Sequence, residues 1–250
     1  IAASHHSHGA WAETTDQQAR SKSEVAVVCR AIQKEVLSVR IRSSLIAGLI
    51  TLSLCLTNTL FASIALAEDA PVQLKIGDEA PSWSDLPGTD DRKHSLADLQ
   101  EKRVIVVCFT CNSCPYSVDY EDRMIEFHKK FSDRKEGVAL IAINSNHKPA
   151  EQLDRMKERA RSKEFPFPYL MDETQKVAAS YGANFTPEFF VLNEERRIVY
   201  IGAMDDKTEA EKVEQHFVEL AVEAALKNEL PAMTANPARG CSIPYKRKKR

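Results

Sequence analysis

Apolar residues in the middle of the chain form short segments whose spacing is typical of strands. Segments 104–110 and 137–144 are nearly continuous apolar runs rich in β-branched side chains, which predicts strands buried on both faces. Two further apolar segments, 188–193 and 197–201, flank the polar residues 194–196. This arrangement indicates a β-hairpin.

Helical spacing alternates with these strands. In segment 112–132 the large apolar residues recur every three or four positions, as on one side of a helix. The charged residues after its start, Asp119, Glu121, Asp122 and Arg123, are expected on a solvated face. The remaining predicted elements are helices at 150–163, 173–181 and 209–226, a short strand at 169–171, and an upstream extension with a hairpin and a brief helix over 95–99.

The order of these elements indicates the fold class. A strand–helix–strand unit is followed by a helix, a hairpin and a last helix, and no internal repeat is visible. Elements in this order predict an α/β domain with a mixed central sheet that helices cover on both faces. We expect this single domain to span residues 68–245.

The segment before this domain resembles an export signal. An apolar segment, 45–66, follows two arginines and ends at Ala65-Leu66-Ala67. Basic residues, an apolar stretch and an Ala-x-Ala site predict a secretory signal peptide over 41–67, cut after Ala67. Because the apolar segment is long enough to span a bilayer, an uncleaved membrane anchor is the alternative.

Residues 1–40 are assigned no function. The sequence begins with Ile1, and a start at Val39 through a non-AUG codon would give a leader of ordinary length. Under that hypothesis residues 1–38 are absent from the native product.

The charge balance excludes one class of partner. The chain has 34 Lys and Arg against 36 Asp and Glu, a net charge of −2, which gives no reason to expect nucleic-acid binding. The exception is the basic run 246–250, which we interpret as a solvated tail.

Two cysteines at the junction of a strand and a helix are the main candidate for chemistry. Cys111 and Cys114 form a Cys-x-x-Cys pair between segment 104–110 and the helix that follows. The positive end of a helix favours a thiolate, here expected on Cys111, and the spacing lets Cys114 close a disulfide as the resolving thiol. A purely stabilising disulfide is disfavoured, because so short a loop constrains the unfolded chain little.

Metal-binding interpretations of the cysteines are weaker. Cys108 extends the pattern to Cys-x-x-Cys-x-x-Cys, but Val118 stands where an iron–sulfur cluster pattern requires a fourth cysteine. A zinc site lacks a second Cys or His pair at ligand spacing. We therefore expect Cys108 to be a buried core thiol, and we expect no metal and no cofactor.

Three further positions are candidate site residues. Thr186 and Pro187 precede segment 188–193, where the topology would place a cis proline opposite the dithiol and leave the backbone before it free to pair with an extended substrate. Cys241 is either a distant resolving cysteine or, as favoured, a free thiol. His147, in the loop after segment 137–144, is a weak candidate for a ligand or an acid–base group.

Several motifs carry a family resemblance. They are Thr-Cys-Asn-Ser-Cys-Pro-Tyr at 110–116, Tyr-Glu-Asp-Arg at 120–123, Ala-Ile-Asn-Ser-Asn at 142–146, Phe-Pro-Phe-Pro-Tyr-Leu at 165–170, Asp-Glu-Thr-Gln at 172–175, Thr-Pro-Glu-Phe-Phe at 186–190 and Gly-Cys-Ser-Ile at 240–243. Over roughly residues 75–245 the chain resembles the redoxin (AhpC/TSA-type) branch of the thioredoxin superfamily, most closely exported bacterial proteins with a CxxCPY motif. The resemblance implies a thioredoxin-like fold, a nucleophilic Cys111, a resolving Cys114 and a cis Pro187.

The expected function is thiol–disulfide exchange outside the cytoplasm, in the periplasm or cell envelope of a bacterium. The partners would be protein or small-molecule disulfides or thiols and an electron donor or acceptor. A thiol peroxidase is the first alternative, although the Pro-x-x-x-Thr-x-x-Cys motif of peroxiredoxins is absent around Thr110. A copper carrier that uses Cys111, Cys114 and His147 is the second, although such carriers resemble CxxxCP.

Overall fold

The structure, a computed structural model, describes residues 73–132 and 137–246. Residues 1–40, the expected leader 41–67 and the last four residues of the basic tail lie outside the described residues. Within the described part, no helix has the length and apolar character that crossing a bilayer requires.

A mixed sheet forms the centre of the domain. Its strands, in spatial order, are β5 (Tyr169–Met171), β4 (Val138–Asn144), β3 (Val104–Phe109), β7 (Glu188–Leu192), β8 (Ile198–Gly202) and β9 (Ala235–Asn236). Strand β3 is parallel to β4 and antiparallel to β7, and β7 forms the expected hairpin with β8. The edge strands β5 and β9 pair in parallel with β4 and β8.

Two short strand pairs lie outside this sheet. The first joins β1 (Leu86–Pro87) to β2 (Lys93–His94), the hairpin of the N-terminal extension. The second joins β6 (Phe185–Thr186) to β10 (Cys241–Ser242), near the C-terminus. Both pairs are antiparallel.

Four α-helices accompany the strands in the described part. They are α1 (Pro115–Ser132), α2 (Leu153–Lys163), α3 (Lys176–Tyr181) and α4 (Phe217–Leu226). Short 3-10 helices lie at Leu96–Leu99, Pro149–Glu151 and Ala210–Lys212.

Both faces of the sheet are covered, which explains the unbroken apolar sequence of β3. Val104, Val106 and Cys108 face a core shared with α1 and α4. The alternate residues of β3, such as Ile105 and Phe109, face a second core with α3 and the N-terminal extension. Each fully buried aliphatic or aromatic side chain stabilises the fold by about 1.5–3 kcal/mol. The expected α/β class, with a mixed sheet between helices, is confirmed.

All four expected α-helices begin later in the structure, and those expected from 150 and 173 begin at Leu153 and Lys176. Helix 112–132 begins instead at Pro115, a favoured residue for a first helical position. Of the expected helix 209–226, only Phe217–Leu226 is α-helical. The Asp206 carboxylate accepts the N–H groups of Glu214 (3.0 Å) and Gln215 (3.1 Å), which holds the preceding residues in a loop.

Candidate active site

The Cys-x-x-Cys pair occupies the junction of β3 and α1. Cys114 directly precedes α1, and its carbonyl accepts the N–H of Val118 at 3.0 Å, so Cys114 is the N-cap of the helix. The expectation placed the thiolate-stabilising helix end at Cys111, but that residue lies three positions before Cys114. Cys111 and Cys114 are both unpaired thiols, with 3% and 2% of their surface exposed.

A buried carboxylate fixes the loop between the two cysteines. Glu151, which is 0% exposed, accepts the backbone N–H of Asn112 at 2.7 Å and that of Ser113 at 3.0 Å. The side-chain amide of Asn144 donates to the same carboxylate at 2.9 Å. Sequence reasoning missed Glu151, because one acidic residue in a highly charged segment carries no distinguishing signal.

The Asn112 side chain extends this network to the sheet. Its amide donates to the carbonyl of Ala150 at 2.9 Å, and its oxygen accepts the hydroxyl of Tyr169 at 3.0 Å. Tyr169 in turn accepts the amide of Asn144 at 3.1 Å. The loop is therefore held rigidly between α1 and the ends of β4 and β5, as a preformed site requires.

Thr186 contacts both thiols. Its hydroxyl lies 3.4 Å from Sγ of Cys111, and its carbonyl accepts the Cys114 thiol at 3.1 Å. The bond between Thr186 and Pro187 is cis, as expected. The structure thus brings together the four residues that the sequence singled out, although they lie in segments 72 or more positions apart.

Glu188 holds the segment that carries Thr186. Its buried carboxylate accepts the N–H groups of Asn184 (2.6 Å) and Phe185 (3.1 Å). Burial raises the pKa of Glu188 above its usual value. These hydrogen bonds fix the position of the Thr186 carbonyl relative to the dithiol.

The interaction between the two sulfurs separates their pKa values. The hydrogen bond with Cys111 lowers the pKa of Cys114 to about 4, and the backbone N–H of Ser117 also favours the thiolate. The same hydrogen bond, together with burial and the charge of Glu151, raises the pKa of Cys111. The pair therefore releases its first proton well below the usual thiol pKa and keeps the second.

Cys241 lies at this site, not apart from it. Strand β10 pairs with β6 so that Cys241 is opposite Thr186, whose hydroxyl donates to the Cys241 carbonyl at 3.3 Å. We expected the Thr186 backbone to be free for a substrate, but Cys241 of the same chain pairs with it. The expected free thiol is unpaired and exposed, yet it is a neighbour of Cys114.

The other candidates are separate from the dithiol chemistry. Cys108 is fully buried in β3, as expected, and burial raises its pKa well above the usual value. His147 is exposed in the loop after β4. Among the described residues, no group of three or more His, Cys, Asp or Glu side chains is placed to hold a metal ion.

Comparison with known families gives one match over most of the described domain. The family model described as Redoxin matches residues 75–216. Among curated proteins, the chain is similar to the thiol-disulfide oxidoreductase ResA of Bacillus thuringiensis (strain Al Hakam), with 28% identity over 132 residues. That alignment covers 51% of this chain and 69% of ResA.

Two solved structures share both the fold and a substantial part of the sequence. A hypothetical protein from Sinorhizobium meliloti 1021 is 31% identical, with a TM-score of 0.64 over 70% of this chain and 97% of its own. An uncharacterized conserved protein from Geobacillus kaustophilus is 30% identical, with a TM-score of 0.65 over 71% of this chain and 95% of its own.

Proposed function

Because the chain belongs to the redoxin family of the thioredoxin superfamily, we propose that it is a thiol–disulfide oxidoreductase whose redox pair is Cys111 and Cys114. The observation that carries this proposal is the pair of thiols, each in contact with Thr186 at the cis Thr186–Pro187 bond. The similarity to ResA, a protein named thiol-disulfide oxidoreductase, supports the same reaction.

The reaction consists of two exchanges. A thiolate of the pair attacks one sulfur of a substrate disulfide, so that a mixed disulfide forms and the other substrate sulfur leaves as a thiolate. The second cysteine of the pair then attacks the protein sulfur of the mixed disulfide. The substrate leaves fully reduced, and the Cys111–Cys114 disulfide holds the two oxidising equivalents.

The contacts with Thr186 support Cys111 as the attacking sulfur. The Thr186 hydroxyl, 3.4 Å from Cys111, can turn from the Cys241 carbonyl and donate its one hydrogen to a thiolate on Cys111, whereas the Thr186 carbonyl at Cys114 can only accept a hydrogen bond. When a substrate arrives, the proton shared by the two sulfurs moves to Cys114 and the negative charge to Cys111. Cys114 then acts as the resolving thiol.

The proposed location and partners follow from the leader. The signal-peptide pattern at 41–67 supports export to the periplasm or cell envelope, with membrane proximity if the leader is not cleaved. Substrates there are protein or small-molecule disulfides, and an electron donor must restore the dithiol. The net charge supports no role for nucleic acid.

Reduction of insulin disulfides with dithiothreitol as the donor tests the proposed pair. We expect the Cys111→Ser and Cys114→Ser variants to fall to the rate of dithiothreitol alone, since each removes one half of the exchange. Cys108→Ala is the matched control, because this thiol is buried in the core and should leave the rate unchanged.

Two results would contradict the proposal. Full insulin reduction by Cys111→Ser would exclude the pair, and rapid consumption of hydrogen peroxide with the same donor would favour the peroxidase alternative. In a Cys241→Ser background the mixed disulfide identifies the attacking sulfur, because it accumulates in Cys114→Ser if Cys111 attacks and in Cys111→Ser if Cys114 does.

A further inference from the structure

The C-terminal segment is docked on the strand that carries Thr186. Cys241 pairs with Thr186, and Ser242 pairs with Phe185, in an antiparallel register. The N–H of Ile243 donates to the carbonyl of Asn184 at 2.9 Å, which continues the contact beyond β10.

Contacts further along hold this segment in place. The Ile243 side chain is buried in the core that contains α3. The side chain of Gln175 donates to the Pro244 carbonyl at 3.1 Å and accepts the N–H of Lys246 at 2.8 Å. The Tyr245 hydroxyl donates to the carbonyl of Ala183 at 2.5 Å. Cys241 is therefore part of an anchored strand, not of a loose tail.

Because this strand is anchored, Cys241 is held next to Cys114, which in turn lies next to Cys111. Cys241 pairs with Thr186, whose carbonyl accepts the Cys114 thiol at 3.1 Å and whose hydroxyl lies 3.4 Å from the Cys111 sulfur, so the three cysteines meet at one residue. The pKa of Cys114 is lowered by both Cys111 and Cys241. The contact with Cys114 is also the main reason why the pKa of Cys241 is raised to about 11. Cys111 and Cys114 are 3% and 2% exposed, whereas Cys241 is exposed to solvent.

We propose that Cys241 is a third redox residue, which carries the disulfide from the buried pair to the surface. The proposal rests on the function proposed above. The Cys241 thiolate attacks Sγ of Cys114 in the Cys111–Cys114 disulfide. The Cys114–Cys241 bond forms, the Cys111–Cys114 bond breaks, and its electron pair leaves on Cys111 as a thiolate. The number of disulfides stays at one, so the step needs no added oxidant.

Cys241 is more exposed to solvent than Cys111 and Cys114, so the exchange moves the disulfide to a sulfur that an external thiol can reach. A reducing thiol must reach a sulfur of the disulfide that it attacks, and the pair Cys111–Cys114 is shielded from solvent. Once the bond lies between Cys114 and Cys241, an external thiol can attack the exposed Cys241 sulfur. The electron donor is therefore a thiol or dithiol that docks at β10.

Mapping of disulfides in Cys111→Ser is the first test. This variant is oxidised with one equivalent of diamide, alkylated, digested and examined by mass spectrometry. We expect an internal Cys114–Cys241 bond in the monomer. The matched control, Cys111→Ser/Cys241→Ser/Ser242→Cys, moves the thiol to the next residue, whose side chain points to the opposite side of the strand, and should form no internal bond.

The rate of reactivation is the second test. Dithiothreitol is added to the oxidised protein, and the return of free thiols is followed by timed alkylation. We expect Cys241→Ser to react at least about tenfold more slowly than the unmodified chain, because attack must then wait for the site to open. Ser242→Ala, in the same strand, should match the unmodified chain.

The outcomes separate this proposal from the function on which it rests. The proposed role of Cys241 is wrong if Cys111→Ser forms no Cys114–Cys241 bond, or if the Ser242→Cys control forms an internal bond equally well. If insulin is still reduced, the proposed redox pair of Cys111 and Cys114 is retained. If the bond forms and reactivation slows, but insulin is not reduced, the proposed function is wrong and the exchange stands.

Discussion

At the residue scale, Cys114 is the sulfur with the most varied neighbours. It faces the thiols of Cys111 and Cys241, the carbonyl of Thr186 and the N–H of Ser117. The donors stabilise a thiolate, while the carbonyl stabilises the protonated thiol. The same sulfur can therefore hold a proton in one step and release it in the next.

The pH dependence of the pair follows from the hydrogen bond between its sulfurs. With the pKa of Cys114 at about 4, thiolate absorbance near 240 nm should stay constant between about pH 6 and 8 in a Cys29→Ser/Cys55→Ser background, which removes the two thiols upstream of the domain. Cys111→Ala removes the donor that contributes most to this lowering. The pKa of Cys114 should then rise, and absorbance should increase as the pH rises toward the ordinary thiol range.

The control for this titration is Cys108→Ala. Burial keeps the Cys108 thiol protonated in this range, so its removal should leave the absorbance curve unchanged. If the Cys29→Ser/Cys55→Ser chain titrates at the usual thiol pKa of about 8.5, the pair holds no stabilised thiolate.

Charged residues on α1 show where residue-level prediction was wrong. Glu121 was expected in solvent, but it is buried and accepts two hydrogen bonds from Arg159, each at 2.7 Å. Arg123, also expected in solvent, donates to Asp205 at 2.7 Å. These partners are 38 and 82 positions away, so the local sequence carried no sign of either pair.

At the scale of elements, the pairing of β10 with β6 depends on the small size of Gly240. A Cβ atom at this position would lie 2.1 Å from the carbonyl oxygen of Thr186 and 2.6 Å from its carbon. Both are backbone atoms, which a side chain cannot push aside without moving the strand. Only glycine allows this close approach.

Gly240→Val should therefore detach β10 from Thr186. In a Cys241→Ser background, we expect Cys111 and Cys114 to react with N-ethylmaleimide several-fold faster, since the strand that shields them has moved. The rate is measured by mass spectrometry of native protein after timed quenching. The control is Arg239→Val in the same background, at the exposed residue next to Gly240. Its cysteines should react as fast as those of Cys241→Ser alone. Equal rates in all three proteins would show that β10 does not shield the pair.

At the scale of the whole molecule, one buried ion pair ties α1 to the loop after β8. Arg123 donates to Asp205 at 2.7 Å and to the carbonyl of Thr208 at 2.7 Å, and its guanidinium lies 3.6 Å from the Tyr120 ring centre. The Asp205 side chain is 1% exposed, and His216 is its second partner at 3.0 Å. Burial raises the pKa of Asp205, since its charge loses water.

Arg123→Met should weaken the fold, because it leaves the Asp205 carboxylate buried without its main partner. We expect the free energy of unfolding to fall by about 3 kcal/mol, measured by guanidinium denaturation. Arg155→Met is the matched control, since Arg155 pairs with Glu158 in solvent and should change the stability little. Equal effects of the two substitutions would show that the buried pair has no special role.

The sequence by itself determined the features that depend on neighbours along the chain. Apolar runs gave β3, β4 and the β7–β8 hairpin, because a strand buried on both faces must be apolar throughout. The position of the Cys-x-x-Cys pair between a strand and a helix indicated the candidate redox site, and the motifs around it indicated the redoxin resemblance. Helix ends were less accurate, since caps and side-chain contacts decide them.

Only the tertiary structure decided what surrounds the dithiol. Glu151 binds the N–H of Asn112, 39 positions before it in the sequence. Thr186 contacts Cys114 across 72 positions, and Cys241 contacts Thr186 across 55 positions. None of these distances follows from a local period, because they depend on which strands pair and which loops share an edge of the sheet. The segment with Cys111 and Cys114 could therefore be recognised as a candidate dithiol site from its sequence. The position of Cys241 beside it could be seen only in the tertiary structure.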